Sequence, residues 1–354
     1  MSVQTDRIER VETTTPQKRD RAIGIWLLCV AGMVALILIV GGLTRLTDSG
    51  LSITEWKPVT GAIPPLSHEH WLEEFAKYKQ IPEYEQVNKG MSLSEFQWIY
   101  WWEWAHRLLA RTVGFVFLLP FLFFAAKGRI ARPEWPKFIG LFLLGGFQGF
   151  MGWYMVSSGL SERVDVSQYR LAAHLGIAVL IFGFSLWMAL GYLVERRAPG
   201  PAALAVASRL MIGLVFLQIL SGAFVAGTDA GFTYNSWPLI DGAFIPERLY
   251  DTVPAWLAAF EDHLTIQFNH RMLGYGVAFM AFALWFAGRG RHVVLPQGVR
   301  PLLSVLLALV GVQIAIGIWT LLLVVPIAMG ALHQFGALMV FGCAIMLAYR
   351  LNPR

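Results

Sequence analysis

Eight apolar stretches, each about as long as a bilayer-crossing helix, constrain this chain more than any other feature. They run over roughly residues 23 to 43, 105 to 125, 137 to 157, 171 to 193, 208 to 227, 268 to 288, 301 to 323 and 328 to 349. A hydrocarbon core about 30 Å thick takes about 20 helical residues to cross. Inside it a spanning helix satisfies its own backbone polar groups, which extended loops cannot do. The expectation is an all-α membrane protein with eight transmembrane helices. A mean hydropathy of +0.56 and a charged fraction of only 14% agree with it.

Orientation follows from the loops. With the N-terminus inside, the cytoplasmic face receives a tail with Arg7, Arg10, Lys18, Arg19 and Arg21. It also receives the loops around Lys127 to Lys137, Glu195 to Arg209 and Arg289 to Arg300, and the C-terminus. Most of the 28 lysines and arginines fall there, and few of the 23 acids. Basic residues in short loops mark the cytoplasmic side, so both termini are expected inside. No small-residue cleavage site follows the first apolar run, and Asp6, Glu9, Glu12 and Asp20 are out of place in a mitochondrial transit peptide. A bacterial inner membrane is the expected location. Cys29 and Cys343 lie far apart in apolar segments, which indicates packing rather than a disulfide framework or thiolate metal site. The pI of about 9.3 suits anionic lipid headgroups and is no evidence for nucleic acid.

The chain repeats itself. TDSGLSITEWKPVTGAIPP, Thr47 to Pro65, lies over TDAGFTYNSWPLIDGAFIP, Thr228 to Pro246, at a constant offset of 181. HRLLARTVGF from His106 pairs with HRMLGYGVAF from His270, and Gln148 and Gly152 pair with Gln313 and Gly317. Four spans are an even number, so the second copy enters the membrane from the same side as the first. This is a parallel repeat about an axis near the membrane normal. The expected layout is a tail over 1 to 22 and a four-helix bundle over 23 to 193. A linker over 194 to 207, a pseudo-symmetric second bundle over 208 to 349 and a tail over 350 to 354 complete it. The outer loops are long, and Trp71 to Gln80 and Pro254 to Leu264 read as short amphipathic helices suited to the membrane surface. Trp98, Trp101, Trp102 and Trp104 precede the second span as an interfacial belt.

His106, His174, His270 and His333 each open an even-numbered span, which sets all four toward the outer face. His68, His70 and His263 fall in outer loops and His292 in a cytoplasmic one, all expected to be solvated. One buried histidine is more often structural than a ligand; four, two in each repeat, favour ligation. Facing across each bundle, 106 with 174 and 270 with 333, they suit a planar cofactor with two axial imidazoles. The Glu-x-x-His at Glu103 and His106 has no second copy to complete a di-iron bundle, and bis-histidine haem fits better. Gly145, Gly146, Gly149 and Gly152 admit either a close helix or a flat ring. Arg107 and Arg271 suit haem propionates or snorkelling to phosphates equally. Gln148, Gln218 and Gln313 each precede a glycine by four residues, and interhelical hydrogen bonding accounts for them.

The halves differ at one telling place. Glu103 stands one turn before His106, whereas the matching residue before His270 is Gln267. Glu103 reads either as a solvated carboxylate at the helix mouth, favoured there by the helix dipole, or as a group that moves protons during catalysis.

With these residues placed, the chain resembles the haem A synthase family, membrane enzymes that serve cytochrome oxidase assembly. EWAHR at Glu103 to Arg107, RLAAHLG at Arg170 to Gly176, FNHRMLG at Phe268 to Gly274, LHQ at Leu332 to Gln334 and the duplicated loops carry it. The resemblance implies that His270 and His333 ligate a resident haem b, while His106 and His174 hold the substrate haem O. Glu103 matches the family's functionally important glutamate, so the implied catalytic set is Glu103, His106 and His174, with Arg107 and Arg271 on the cofactors. The implied reaction oxidises one methyl of haem O in steps to a formyl group, with haem b transferring electrons to an unidentified acceptor. Haem O synthase is the implied source of substrate, and a homo-oligomer is a possible state. Some members carry a cysteine pair in the first outer loop; this chain has none there and resembles the proteobacterial and mitochondrial type. From the residues alone, a di-haem b-type cytochrome that oxidises quinol without modifying haem stays open as the alternative. A transporter on a duplicated bundle fits less well, because inverted repeats and unwound midplane helices are not evident.

Overall fold

The computed structural model describes residues 20–160, 164–195 and 200–352. Most of the N-terminal tail with Arg7, Arg10, Lys18 and Arg19, part of the linker, and the last two residues lie outside the described residues. Among the described residues the α-helices are α1 (Arg21–Leu46), α2 (His68–Tyr78), α3 (Pro82–Gln86), α4 (Leu93–Ala126), α5 (Trp135–Val156) and α6 (Gln168–Leu193). They continue with α7 (Ala202–Gly227), α8 (Ala258–Glu261), α9 (His263–Gly288), α10 (Val299–Leu322) and α11 (Ile327–Leu351). Eight of them, α1, α4, α5, α6, α7, α9, α10 and α11, are long and apolar enough to cross a membrane, as the hydropathy predicts.

The packing repeats as the sequence does. Helix α1 packs on α4 and α6 in the first half as α7 packs on α9 and α11 in the second. Where the halves meet, α6 lies on α7 and α11 lies on α1, the two equivalent contacts that a two-fold relation requires, with α6 against α11 between them. One large apolar core fills this centre, including Trp26, Leu27, Phe182, Met211, Phe341 and Tyr349. The largest proportional departure from the symmetry is between α9 and α10, which pack closely, and their counterparts α4 and α5, which meet only sparsely. The first half is thereby more open along that seam.

Two local devices set how α4 runs. It begins near residue 93 rather than 105 because Ser92 and Glu95 form a capping box. Glu95 Oε2 accepts from the Ser92 N–H at 2.8 Å, and Ser92 Oγ accepts from the Glu95 N–H at 3.3 Å. Trp98, Trp101, Trp102 and Trp104 are therefore helical. Farther along, Pro120 has no N–H to offer the carbonyl of Val116, which hydrocarbon would leave unsatisfied. The indole Nε1–H of Trp26 on α1 donates to that carbonyl at 2.8 Å.

The first outer loop builds a second, smaller core. Trp71, Phe75 and Tyr78 of α2 pack on Phe96, Ile99 and Tyr100 at the start of α4, with Leu51, Ile53 and Val166. The apolar face of α2 is thus spent on protein rather than on the membrane surface, and Trp71 meets Tyr100 edge-on at 5.0 Å. The segment from Pro254 gives only a 3-10 turn and short α8, whose Phe260 packs on Phe224. His263, expected in a loop, is the first residue of α9, because Asp262 caps that helix by accepting from the Thr265 N–H at 2.8 Å. Cys343 is buried as a packing residue, whereas Cys29 lies on an exposed face of α1.

Glu83 in α3 is buried beside this outer core, with Oε2 unpartnered. Burial first, and then the negative charge of Glu103, push its pKa from an ordinary 4.5 up to about 8. The folded state therefore holds this proton more tightly than the unfolded chain. The stabilisation is full below about pH 4.5 and is lost as pH rises toward 8. Hydrogen exchange across residues 68 to 91 is expected to speed up over that window, and Glu83→Gln should flatten the response. An equally steep response in the variant would assign the effect to another group.

At the outer end of the central interface, Arg45 of α1 reaches across the halves. Its Nη2 lies 2.9 and 3.0 Å from the two carboxylate oxygens of Asp229, and its Nη1 lies 2.9 Å from Asp48. Asp48 and Asp229 are equivalent residues of the two TD loops, and both adopt left-handed backbone, with φ of 47° and 57°. The repeat has no second arginine, since the counterpart of Arg45 is Ala226.

Candidate functional site

Each of the four histidines sits in a notch made by a glycine on the preceding membrane helix. A Cβ on Gly41, Gly152, Gly222 or Gly317 would stand 2.8, 3.0, 3.2 or 2.7 Å from Cε1 of His106, His174, His270 or His333 respectively. At 2.7 and 2.8 Å an added carbon would force the ring to shift, and at 3.0 and 3.2 Å it would be tighter than an ordinary contact, so glycine gives each ring its room. All four histidines are half-buried and lie in the N-terminal half of α4, α6, α9 and α11. Of the glycines on α5, only Gly152 has this role; Gly145, Gly146 and Gly149 meet no neighbour within 4 Å. Close helix packing therefore does not explain those three.

The glutamines one turn below the notches hold the histidine helices. The amide Nε2 of Gln148, Gln218 and Gln313 donates to the backbone carbonyl of His174, His270 and His333 at 3.0, 3.1 and 2.7 Å. The same nitrogens lie 3.4 Å from His174 Nε2, 3.3 Å from both ring nitrogens of His270, and 3.0 Å from His333 Nδ1. The other amide atom, Oε1, is buried and unpartnered in all three. It is the amide nitrogens that face the rings, and an amide turned end for end would offer its Oε1 as the acceptor that the free N–H of a metal-ligating histidine takes.

In the second half, the rings of His270 and His333 face each other with centroids 6.4 Å apart and planes at 73°. Two metal–nitrogen bonds of about 2 Å, plus about 1.1 Å from ring centre to nitrogen at each end for ring bonds of about 1.33 Å, total close to this spacing. The spacing is compatible with a metal held between the two imidazoles, as haem iron is by two histidines. Among the described residues there is no cluster of three His, Cys, Asp or Glu side chains for a compact metal site.

Glu103 is neither solvated nor at the helix mouth. It is 3% exposed and lies well inside α4. Its Oε2 accepts from Ser52 Oγ at 2.7 Å and from the Ile53 N–H at 2.8 Å, and its Oε1 accepts from Arg107 Nη2 at 2.6 Å and Nε at 3.0 Å. Arg107 also donates to the carbonyls of Ile53 at 2.8 Å and Glu55 at 3.2 Å. Glu103 and Arg107 thus clasp the first TD loop to α4. In the second half Gln267 performs the same task with reversed polarity. Its Nε2 donates to the carbonyls of Ala230 at 2.9 Å and Thr233 at 2.7 Å, and its Oε1 accepts from Arg271 Nη2 at 2.5 Å. Arg271 reaches Tyr234 and Leu239 carbonyls, and its Nε remains buried and unpartnered. Both arginines are anchored on loop carbonyls rather than snorkelling to the membrane surface. His68, His70 and His292 are exposed, as expected.

Sequence comparison converges with this geometry. A relative from Parvibaculum lavamentivorans, a haem A synthase, is 51% identical over 98% of each chain. Another from a Chelativorans species, also a haem A synthase, is 53% identical over 94% of this chain and 91% of its own. A third from Rhizobium meliloti is 51% identical over 96% and 93%, with the same name. Residues 24–345 match the model of the COX15-CtaA family, described as cytochrome oxidase assembly protein, and the chain belongs to that family.

Proposed function

We propose that the chain is a haem A synthase, a membrane oxidoreductase that oxidises one methyl group of haem O to a formyl group. The observation that carries this reading is the quartet of glycine-seated histidines, two in each half, joined to a single acid. His270 and His333 hold a resident haem b in the second half, and His106 and His174 hold the substrate haem O in the first. Haem b, when bound, supplies one-electron redox chemistry. The sparse α4 to α5 contact supports placing the substrate in the first half, since a bulky substrate must enter and its product must leave. The closely packed second half suits a permanent occupant.

Glu103 is the acid that distinguishes the substrate half. Its carboxylate stands one turn from His106 and in contact with Ser52 and Arg107, where it takes up or passes on protons released as the methyl group is oxidised. Arg271 keeps Nε–H free for a propionate of the resident haem, while Arg107 fixes the loop over the substrate. The histidines lie toward the periplasmic face of a bacterial inner membrane, with both termini cytoplasmic. Haem O synthase is the supplier of substrate, and an unidentified partner takes the electrons.

The test is to express the chain together with haem O synthase and extract its pigments. Hydroxylated or formylated haem is the expected product. Two b-type haems with no modified haem would make the chain a di-haem electron carrier instead.

A further inference from the structure

We propose that His106 is the exchangeable axial ligand of the substrate haem, because it alone lacks the glutamine that fixes the other three histidines. This inference rests on the functional reading above. Three notches share one construction: a glycine admits the ring, and a glutamine four residues earlier clips the histidine carbonyl and presents a buried, unpartnered oxygen. The fourth notch has the glycine, Gly41, but the residue four before it is Ile37. The 181-residue offset that equates Gly41 with Gly222 equates Ile37 with Gln218.

Ile37 is half-buried, as its glutamine counterparts are, and stands four residues before the notch glycine on its helix as they do on theirs. An isoleucine neither donates to the His106 carbonyl nor accepts from the His106 ring, and His106 Nδ1 is buried without a partner. Glu103 does not substitute, because its oxygens are taken by Ser52, Ile53 and Arg107. The His174 Nδ1 is also unpartnered, yet Gln148 clips the His174 carbonyl at 3.0 Å and its Nε2 lies 3.4 Å from the ring Nε2, contacts that Ile37 cannot give His106. Losing the hydrogen-bond partner of a ligating histidine typically costs about 10- to 100-fold in metal affinity. The weak ligand therefore lies in the half whose occupant is released at every turnover, and the three clipped ligands serve retention. Gln148, Gln218 and Gln313 are positioning residues in this scheme.

The experiment uses purified protein loaded with haem O and haem b, and follows transfer of each haem to excess apomyoglobin. Wild type is expected to release haem O faster than haem b. Ile37→Gln should slow haem O release about 10- to 100-fold with haem b release unchanged, and should alter the low-spin ferric resonance of haem O alone. Gln218→Leu or Gln313→Leu should speed haem b release by a similar factor, which keeps the idea testable if Ile37→Gln fails to fold. Doubly loaded protein whose release rates ignore these substitutions overturns the inference and leaves the functional reading intact. Wild type that binds no haem O overturns both.

Discussion

Replacing His270 with alanine is expected to strip the second half of its haem and abolish product formation. The ring rests over Gly222 with its centroid 6.4 Å from that of His333, so its removal takes one of the two ligands proposed for that haem. A pyridine haemochrome assay on purified protein should show b-type haem falling to near background. His106→Ala should leave that signal in place while product disappears. The opposite pattern, b-type haem kept in His270→Ala and lost in His106→Ala, would exchange the roles of the two halves.

Glu103→Gln is expected to give a folded protein that retains its b-type spectrum and forms product about 10²- to 10⁴-fold more slowly, the range for removing an acid–base group. The carboxylate accepts at every one of its contacts, from Ser52, Ile53 and Arg107. An amide has only one accepting end, so either orientation turns an NH₂ toward the Ile53 N–H or toward the Arg107 guanidinium. Some loosening of the first TD loop will accompany the substitution, and limited proteolysis measures it. The reverse change, Gln267→Glu, sets a carboxylate against the Ala230 and Thr233 carbonyls and should free the second loop without conferring activity on that half. Product formation near the wild-type rate in Glu103→Gln would leave Glu103 as a loop clasp only.

The eight spans were legible because hydrocarbon tolerates almost no other pattern. The boundary of α4 is not, since hydropathy marks only its apolar stretch and the helix begins about three turns earlier among polar and aromatic residues; the Ser92–Glu95 spacing carries the information locally. The four histidines and the Glu103 to Gln267 difference could be found by aligning the chain on itself. The i,i+4 pairing of Glu103 with Arg107 and of Gln267 with Arg271 follows from helical spacing, but their contacts to Ser52, Ile53, Ala230 and Thr233 could not be read, because those groups lie in loops tens of residues away. The glutamines were legible as interhelical hydrogen-bonding residues, but only the fold shows that each clips a histidine. Gly41 carries no such mark in the sequence, because Ile37 rather than a glutamine stands four residues before it.

Arg45 breaks the repeat, and that has a consequence for assembly. Two equivalent aspartates flank the central interface, and one arginine, from the first half only, joins them. A pair made of two first halves brings two arginines to this point, and a pair made of two second halves brings none. Only the unlike pairing places one cation between the two aspartates. Within this one chain the Arg45 contact therefore favours the docking of its two unlike halves over any pairing of like halves between chains.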